Sequence, residues 1–400
     1  MTTFDPFETG FDAWPYDQYR RLREADPVQW SELLYGWVLT GFEDVNHVLR
    51  DPTMSSDLER ASASPVVDLF RSRQVERGDD ALTLVLRDDP EHARLRKFLQ
   101  APFTARAIEA LRASVEKRVA AALDALAPRG RMELVSDLAY PLPVAIFCEM
   151  LGIPDEAGPR FREWTAAVAR SLDLVISDDD HAACMGLLGE MEEYLVAMAE
   201  AKRAWPSDDI LSALVHAEID GDRLTEAELI AQLVTLYVAG HEPTTALVGN
   251  GMAALLAHPE QLERLQADPS LVATAVAELL RYDGPNQFVR RIATVPSEIG
   301  GHTIPPGDVL YAGVGAANHD PARWGDDADE LCIERHDAAQ HLQFGGGIHR
   351  CLGAHLARMQ AEVALTAMLG TLPGLRADGA ITWSGRTTLR SVASVPIAWG

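Results

Sequence analysis

The sequence predicts a mainly α-helical protein, and three observations lead to this expectation. Apolar residues recur every three or four positions through Ala105–Leu126, 191–204 and 226–256, which is the spacing of amphipathic helices. Segments with the pattern of β-strands are few and short. The 400 residues contain no fixed-period repeat and no low-complexity linker, so we expect a single domain over residues 1–400.

The segment 226–256 is predicted to be one very long central helix. Thr225 and Glu228 have the spacing of a capping box at its start, and His258-Pro259 marks its end. Pro243 lies inside the segment. Proline has no backbone N–H and clashes with the preceding turn, at a cost of about 3 kcal/mol in a regular helix, so we expect the helix to be broken there.

The strands form a small β subdomain in this prediction. They are expected at residues 37–40, 288–294, 301–304, 309–313 and 388–397. Two stretches rich in polar and charged residues, 55–80 and 172–181, are predicted to be mobile surface loops.

Composition limits the classes of function. Hydrophobic residues make up 47% and charged residues 24% of the chain, as in globular proteins. Because 35 Lys and Arg stand against 60 Asp and Glu, the formal net charge is −25, which argues against a nucleic-acid-binding surface. The sequence contains no signal-peptide pattern and no stretch of about 18 apolar residues, so we expect a cytoplasmic protein without membrane contact.

Cys351 is the cysteine that the sequence singles out for chemistry. A glycine-rich stretch, residues 345–347, precedes it and an amphipathic helix follows it. Backbone N–H groups at a helix N-terminus lower a thiol's pKa, so this sulfur is predicted to bind a metal, with a buried free cysteine as the alternative. Cys148, Cys184 and Cys332 lack zinc-site or disulfide spacing and are predicted to be packing residues.

The residues around Cys351 carry a family resemblance. Phe344, Gly347, Cys351 and Gly353 form the pattern F-x-x-G-x-x-x-C-x-G, which closely resembles the haem-binding signature of the cytochrome P450 family. Further segments match in the same order, so the resemblance covers essentially the whole chain and is closest to soluble bacterial members. It implies the cytochrome P450 fold, haem b with Cys351 as the thiolate ligand of iron, and a monooxygenase that activates O2. Together with the composition, it suggests a small substrate from secondary metabolism.

The same resemblance implies roles for other residues. The expected haem contacts besides Cys351 are His92, Arg96, Arg291 and His349 at the propionates, Phe344, Gly345 and Gly353 on the cysteine side, and Ala239 and Gly240 on the distal side. Glu278, Arg281 and Arg335 would form a buried network that fixes the cysteine loop. These last three residues are expected to be structural.

Residues 239–245 resemble the family's oxygen-activation segment, in which an acid followed by an alcohol manages protons. Glu242 occupies the acid position, but Pro243 replaces the alcohol, and Thr244 is the predicted substitute donor. Hydroxylation or another oxidation of the substrate is the expected reaction. The missing alcohol leaves open oxidative coupling, desaturation or ring closure without oxygen insertion, and a haem protein that binds ligands without turnover is a further alternative.

The resemblance also points to a substrate pocket. Its expected residues are Tyr237, Val238, Asn286, Gln287, Phe288, Val289, Leu389 and Val392, with selectivity coming mostly from loops 55–86 and 172–185. Asn286 and Gln287 would either hydrogen-bond a polar substrate or satisfy nearby backbone carbonyls.

The sequence contains no reductase domain, so electrons are expected from a ferredoxin and an NAD(P)H-dependent ferredoxin reductase. The candidate docking cations are Arg94, Lys97, Arg350 and Arg358. A protein of −25 needs such a local patch to bind an acidic partner.

Overall fold

The computed structural model describes residues 3–75, 83–171 and 178–400, and within these ranges helices dominate. The helices are α1 Tyr16–Ala25, α2 Phe42–Val48, α3 Pro65–Val75, α4 Glu91–Leu99, α5 Ala105–Leu126, α6 Pro141–Leu151, α7 Gly158–Ser171, α8 Asp178–Ala204, α9 Ile210–His216, α10 Glu226–Ala257, α11 Pro259–Ala267, α12 Val272–Asp283, α13 Val314–Ala317, α14 Pro321–Trp324 and α15 Ala354–Thr371. No helix in these ranges has the length and apolar character needed to cross a membrane.

The strands in the described ranges are short and lie in four small sheets. They are β1 Val28–Ser31, β2 Gly36–Leu39, β3 Met54–Ser55, β4 Arg131–Glu133, β5 Phe288–Ala293, β6 Ser297–Ile299, β7 His302–Ile304, β8 Val309–Gly313, β9 Arg376–Ala377, β10 Thr382–Trp383, β11 Val392–Ser394 and β12 Pro396–Ala398. The largest sheet has the order β1-β2-β8-β5-β3, with β2 and β8 parallel and the other pairs antiparallel. The predicted mainly α architecture with a small β subdomain is confirmed.

Helix α10 runs through the centre of the molecule and packs against α6, α8, α12 and α15. Its capping box is present, because Thr225 and Glu228 each accept a hydrogen bond from the other's backbone N–H. The predicted break at Pro243 is wrong, since the helix continues past that residue. Burial of most of α10 against four neighbouring helices offsets the hydrogen bond that proline removes. Pro243 still leaves the Ala239 carbonyl without its helical donor.

The predicted loop at 55–80 is wrong in part, because Pro65–Val75 forms α3. Two helix-start signals explain it: proline occupies the first helical position, and the Ser64 hydroxyl accepts a hydrogen bond from the Val67 N–H. Residues 76–80 of the predicted loop, and residues 172–177 of the second one, lie outside the described residues. The aspartates 178–180 belong to the start of α8 rather than to a loop.

The other predicted elements differ mainly at their ends. Helix α5 has the predicted bounds, while 191–204 is the second half of α8. The predicted strand at 388–397 divides into β11 and the start of β12 because the two belong to different sheets.

Candidate active site

A cavity of ≈ 370 Å³ lies between α4, α10, β5 and the loop that precedes α15. We call it the central cavity. Its wall contains all ten residues that the sequence predicted as haem contacts, together with Pro243 and Thr244. The remainder of the wall is mostly apolar. The fold therefore brings together, in one place, residues that are up to 261 positions apart in the chain, since His92 and Gly353 both line it.

The loop before α15 presents Cys351 to the central cavity. Gly345 and Gly347 adopt φ angles of 65° and 61°, a conformation that favours glycine. A Cβ atom on Gly347 would lie 2.8 Å from the Leu49 carbonyl oxygen, so a larger residue does not fit there. The Cys351 N–H donates to the Phe344 carbonyl oxygen at 2.9 Å and closes the loop.

Burial raises the pKa of the Cys351 thiol above its usual value. Hydrogen bonds from the backbone N–H groups of Gly353 and Ala354, and the charges of Arg96 and Arg350, act in the opposite direction but do not outweigh burial. The predicted lowering of this pKa is therefore wrong for the polypeptide itself, although the predicted N–H donors are present. A coordinating metal reverses this balance, because a thiol bound to a metal is deprotonated.

Two imidazoles and two guanidinium groups gather at one end of the central cavity. The ring centroids of His92 and His349 lie 4.5 Å apart. Arg96 donates to two carbonyl oxygens of the cysteine loop at 2.9 and 3.0 Å. Arg291 is buried on β5, and one of its nitrogens donates to the preceding carbonyl oxygen at 2.8 Å.

This end of the cavity fits an anionic group. The Nε2 atoms of His92 and His349 are buried and have no hydrogen-bond partner among the described residues. Burial, with help from Arg291, lowers the pKa of His349 to about 3, and burial and Arg96 lower that of His92. Burial also lowers the pKa of Arg291 to about 10. A carboxylate beside these groups would offset the cost of burying them.

The cysteine side of the cavity fits a flat group. A Cβ atom added to Gly353 would meet no atom within 4 Å, so open space lies beside Cys351. A sulfur ligand, open space next to it and an anion-binding end are the features that haem, with its iron, its plane and its two carboxylates, requires. The residues present therefore fit this group.

A buried ion network lies behind the cysteine loop. Glu278 and Arg281, both fully buried on α12, form a two-point ion pair with N–O distances of 2.7 and 2.8 Å. Arg335 donates to the same carboxylate at 3.3 Å. Arg281 also donates to three carbonyl oxygens between residues 318 and 330. These contacts tie α12 to the segment that leads into the cysteine loop.

Asn286 and Gln343 form a second link to the cysteine loop through three hydrogen bonds. The Asn286 N–H donates to Gln343 Oε1 at 2.9 Å, and each side-chain amide donates to the other residue's carbonyl oxygen at 3.0 Å. Asn286 lines the central cavity, but its amide N–H is used within the protein. Of the two predictions for Asn286, the structure has the one in which it satisfies a backbone carbonyl.

Glu242 and Thr244 have different surroundings on α10. Thr244 lines the central cavity, and its hydroxyl donates to the Gly240 carbonyl oxygen at 3.0 Å. Glu242 lies outside the described wall, where its carboxylate is 3.0 Å from Arg386 and 3.6 Å from His241 Nε2. Burial raises the pKa of Glu242, but His241 and Arg386 together lower it by more, so the carboxylate form is favoured.

Helix α10 turns a single face towards the central cavity, and sequence reasoning missed part of it. That face consists of Gln232, Thr235, Leu236, Ala239, Gly240, Pro243, Thr244 and Leu247, which recur every three or four positions. The prediction that Tyr237 and Val238 line the pocket is wrong, because they follow Leu236 on other faces of the helix. The Tyr237 hydroxyl is buried 3.5 Å from the Cys148 sulfur. Counting back from Ala239 in helical steps would have found Gln232.

Strand geometry corrects the next group of predicted residues. Val289 and Arg291 line the cavity on one face of β5, while Phe288 points to the other face and packs edge-to-face against Phe4, with ring centroids 5.2 Å apart. Gln287 is buried away from the cavity, and its Nε2 donates to the Gly284 carbonyl oxygen at 3.0 Å. Gln287 and Phe288, which were predicted to contact substrate, therefore lie outside the described cavity wall.

The last two predicted pocket residues also lie away from the described wall. Leu389 forms a β-bridge with Asn286. Val392 is buried, and its backbone N–H donates to Asn250 Oδ1 at 3.0 Å. The loop segment 55–86 contributes Leu84 and Val85 to the wall. Residues 172–177 of the other predicted selectivity loop lie outside the described part of the chain.

A model of the cytochrome P450 family matches residues 37–372. The chain belongs to the cytochrome P450 family. This P450 is 38% identical over 401 residues to cytochrome P450 monooxygenase PikC of Streptomyces venezuelae. The alignment covers 97% of this chain and 92% of PikC. It is 34% identical to 6-deoxyerythronolide B hydroxylase of Saccharopolyspora erythraea, over 99% of both chains. A crystal structure of P450BioI in complex with an acyl carrier protein ligated to hexadec-9Z-enoic acid superposes with a TM-score of 0.90 at 30% identity, covering 98% of this chain and all of that one.

As a P450, the protein is a haem-thiolate oxidoreductase of the monooxygenase type, and the predicted family, fold and enzyme class are confirmed. P450 enzymes of bacteria act on small molecules with electrons from redox partners. The relatives above are named as a monooxygenase and a hydroxylase. The alternatives of coupling without oxygen insertion and of ligand binding without turnover are not favoured.

Proposed function

We propose that this P450 inserts one oxygen atom of O2 into a small organic molecule of secondary metabolism. One observation carries the proposal: the central cavity joins a cysteine sulfur, an anion-binding end and the distal face of α10 to a mostly apolar wall. Bound haem supplies the activation of O2, to which an axial thiolate contributes electron density. The name of the Saccharopolyspora relative, a hydroxylase, supports the same reaction type.

We assign the cofactor as haem b and the axial ligand as Cys351. The loop geometry fixes the sulfur, while the N–H groups of Gly353 and Ala354 hold its charge. The propionates would be held by His92, Arg96, Arg291 and His349, which are the four polar side chains at the anion-binding end. Ala239 and Gly240 would border the opposite side of the cofactor.

Proton delivery at the distal side is proposed to involve Glu242 and Thr244. Glu242 is held as a carboxylate by Arg386 and His241, so it can accept protons from the protein surface. Pro243 provides no hydroxyl. The Thr244 hydroxyl already lines the cavity, and while it donates to Gly240 its oxygen remains free to accept a second hydrogen bond.

The reaction type can be tested with isotopically labelled dioxygen. Holoenzyme, ferredoxin, ferredoxin reductase and NAD(P)H are incubated with a panel of polyketides, terpenes, aromatic amino acids and cyclic dipeptides, and products are analysed by mass spectrometry. We expect the product to carry one labelled oxygen atom, while a parallel incubation in labelled water gives an unlabelled product. A product that forms only with electrons and O2 but contains no label would contradict the proposal.

The same assay tests the role of Thr244. In Thr244→Ala, product formed per NAD(P)H consumed should fall by about 10²-fold, the lower range for loss of a positioned proton-transfer group. Thr245→Ala is the matched control, because its hydroxyl is adjacent in sequence but lies outside the described cavity wall. Full, well-coupled turnover by Thr244→Ala would exclude Thr244 as the substitute donor.

We propose that a ferredoxin and its NAD(P)H-dependent reductase supply the electrons. Two of the four predicted docking cations form ion pairs within the protein. Arg94 pairs with Asp222 and Glu228, and Lys97 pairs with Asp220. These two cations are therefore neutralised locally. We propose the cytoplasm as the location of this P450, because both redox partners and a reducing environment for the four thiols would be present there.

The remaining docking candidates surround a second, polar cavity of ≈ 290 Å³ beside the cysteine loop. Arg350 and Arg358 line it together with Arg50, and Phe344, Gly345 and Arg350 border both cavities. The arginines of this second cavity would attract an acidic ferredoxin, which would then lie close to the cysteine side of the central cavity. Salt should therefore raise the KM for ferredoxin, and a KM that is independent of salt would exclude this surface.

A further inference from the structure

Gln232 is a polar residue in the otherwise mostly apolar wall of the central cavity, and it is completely buried. Its Oε1 accepts a hydrogen bond from the Leu84 backbone N–H at 2.9 Å. Its Nε2 has no hydrogen-bond partner among the described residues. A buried, unsatisfied amide N–H₂ is rare in proteins and calls for an explanation.

The Leu84 contact fixes which way the Gln232 amide points. If the amide were flipped, its N–H₂ group would face the Leu84 N–H, and two donors would oppose each other. The oxygen is therefore held at Leu84, which leaves the two N–H bonds of Nε2 without an acceptor among the described residues. Neither of the next residues on this face of α10, Thr235 and Leu236, accepts a hydrogen bond from Nε2.

The position of Gln232 along α10 gives the distance between its amide and the distal segment where oxidation takes place. Gln232 precedes Ala239 and Gly240 by seven and eight residues on the same helical face. At a rise of 1.5 Å per residue, the amide lies about 10–12 Å along the helix axis from the distal segment where oxidation takes place. The wall between them contains Leu236 and, from the neighbouring loop, Leu84 and Val85.

We propose that Gln232 is a specificity-determining residue whose Nε2 donates a hydrogen bond to an acceptor oxygen of the substrate. The inference rests on the proposed function and narrows its substrate class. The substrate is an extended or large-ring molecule with an apolar body, and it carries a carbonyl, ether or hydroxyl oxygen about 10–12 Å from the carbon that is oxidised. Binding this oxygen would give Gln232 Nε2 the acceptor that it lacks among the described residues.

The test uses ligands that measure this distance without turnover. N-alkylimidazoles bind haem iron through the imidazole nitrogen and shift the Soret band, so one end of each probe is anchored. A series of chain lengths that brackets the proposed span carries a ketone near the far end, and each ketone is compared with the matched alkyl probe. In the wild-type holoenzyme we expect the ketone to bind about tenfold more tightly at the matching length, which corresponds to about 1.4 kcal/mol.

The ketone preference should disappear in Gln232→Met, which keeps the length of the side chain and removes its donors. It should persist in the control Thr235→Val, which removes a hydroxyl from the same helical face. Gln232→Glu is the second variant, because it retains an acceptor for Leu84 while replacing the donor. No ketone preference in the wild type at any length would overturn the proposal, as would a preference that survives in Gln232→Met or is lost in Thr235→Val.

A water molecule bound to Nε2 is the competing explanation. This explanation predicts that ketone and alkyl probes bind equally tightly, and that result would contradict the proposal. Because imidazole binding requires haem but no electrons, its result is independent of the labelled-dioxygen assay. A failed oxidation with an intact ketone preference would contradict the proposed reaction, and normal oxidation without that preference would contradict only the role of Gln232.

Discussion

Replacing Glu278 with glutamine should destabilise the fold by about 3–5 kcal/mol and prevent stable haem incorporation. The carboxylate accepts hydrogen bonds from Arg281, from Arg335 and from the Cys332 backbone N–H. Glutamine keeps the shape of the side chain but removes the counter-charge of the fully buried Arg281 guanidinium and leaves Arg335 with Asp327 alone. Its N–H₂ group would also face these donors. Haem content and the apparent thermal midpoint of the purified variant are the measurements.

Arg264→Gln is the matched control for Glu278→Gln. Arg264 forms a two-point ion pair with Glu334, at 2.9 and 3.1 Å, but both side chains are about half exposed to solvent. Solvent-exposed pairs of that kind contribute little to stability, so this variant should retain haem. A Glu278→Gln protein with normal haem content and stability would show that the buried network does not contribute to the stability of the fold.

Replacing Cys351 with serine should abolish monooxygenase activity while the protein remains folded. Serine is close to cysteine in size, so the loop closed by the Phe344 carbonyl can form as before. A serine hydroxyl does not provide the soft anionic sulfur that donates electron density to iron. The reduced protein with CO should therefore lose the red-shifted Soret band that thiolate ligation produces, and product formation should fall to background.

Cys332→Ser provides the comparison for Cys351→Ser. Cys332 is partly buried near Glu278, and the contact that it makes to the network comes from its backbone N–H. The red-shifted CO band and the activity should therefore survive this change. A red-shifted band that remained in Cys351→Ser would mean that another thiolate binds the iron.

The haem site could be predicted from the sequence because its residues belong to fixed local patterns. Cys351 with its glycines, and Glu278 with Arg281 on one helix turn, are recognisable without knowledge of the surroundings. The substrate wall was harder to predict because it depends on which face an element turns inwards. The resemblance implies Tyr237 and Val238 as pocket residues, but a helix brings positions three and four apart together, and neither residue belongs to the described wall.

Other errors came from tertiary packing. The cost of Pro243 applies to an isolated helix, but α10 packs against α6, α8, α12 and α15, and these contacts keep it helical through that position. Phe288 and Val289 alternate between the two faces of a strand, and only the position of the sheet decides which face meets the cavity. The pKa of Cys351 depends on burial, which local sequence does not contain.

The three hydrogen bonds between Asn286 and Gln343 have a consequence for redesign of this enzyme. They join one part of the substrate wall to the loop that positions the axial sulfur. A substitution at Asn286 made to accommodate a new substrate would therefore also disturb the electronic environment of the iron. Among the described residues, Gln232, Thr235 and Leu236 of α10 line the same cavity but form no hydrogen bond to the cysteine loop. Libraries intended to change substrate scope at constant redox chemistry should be concentrated there.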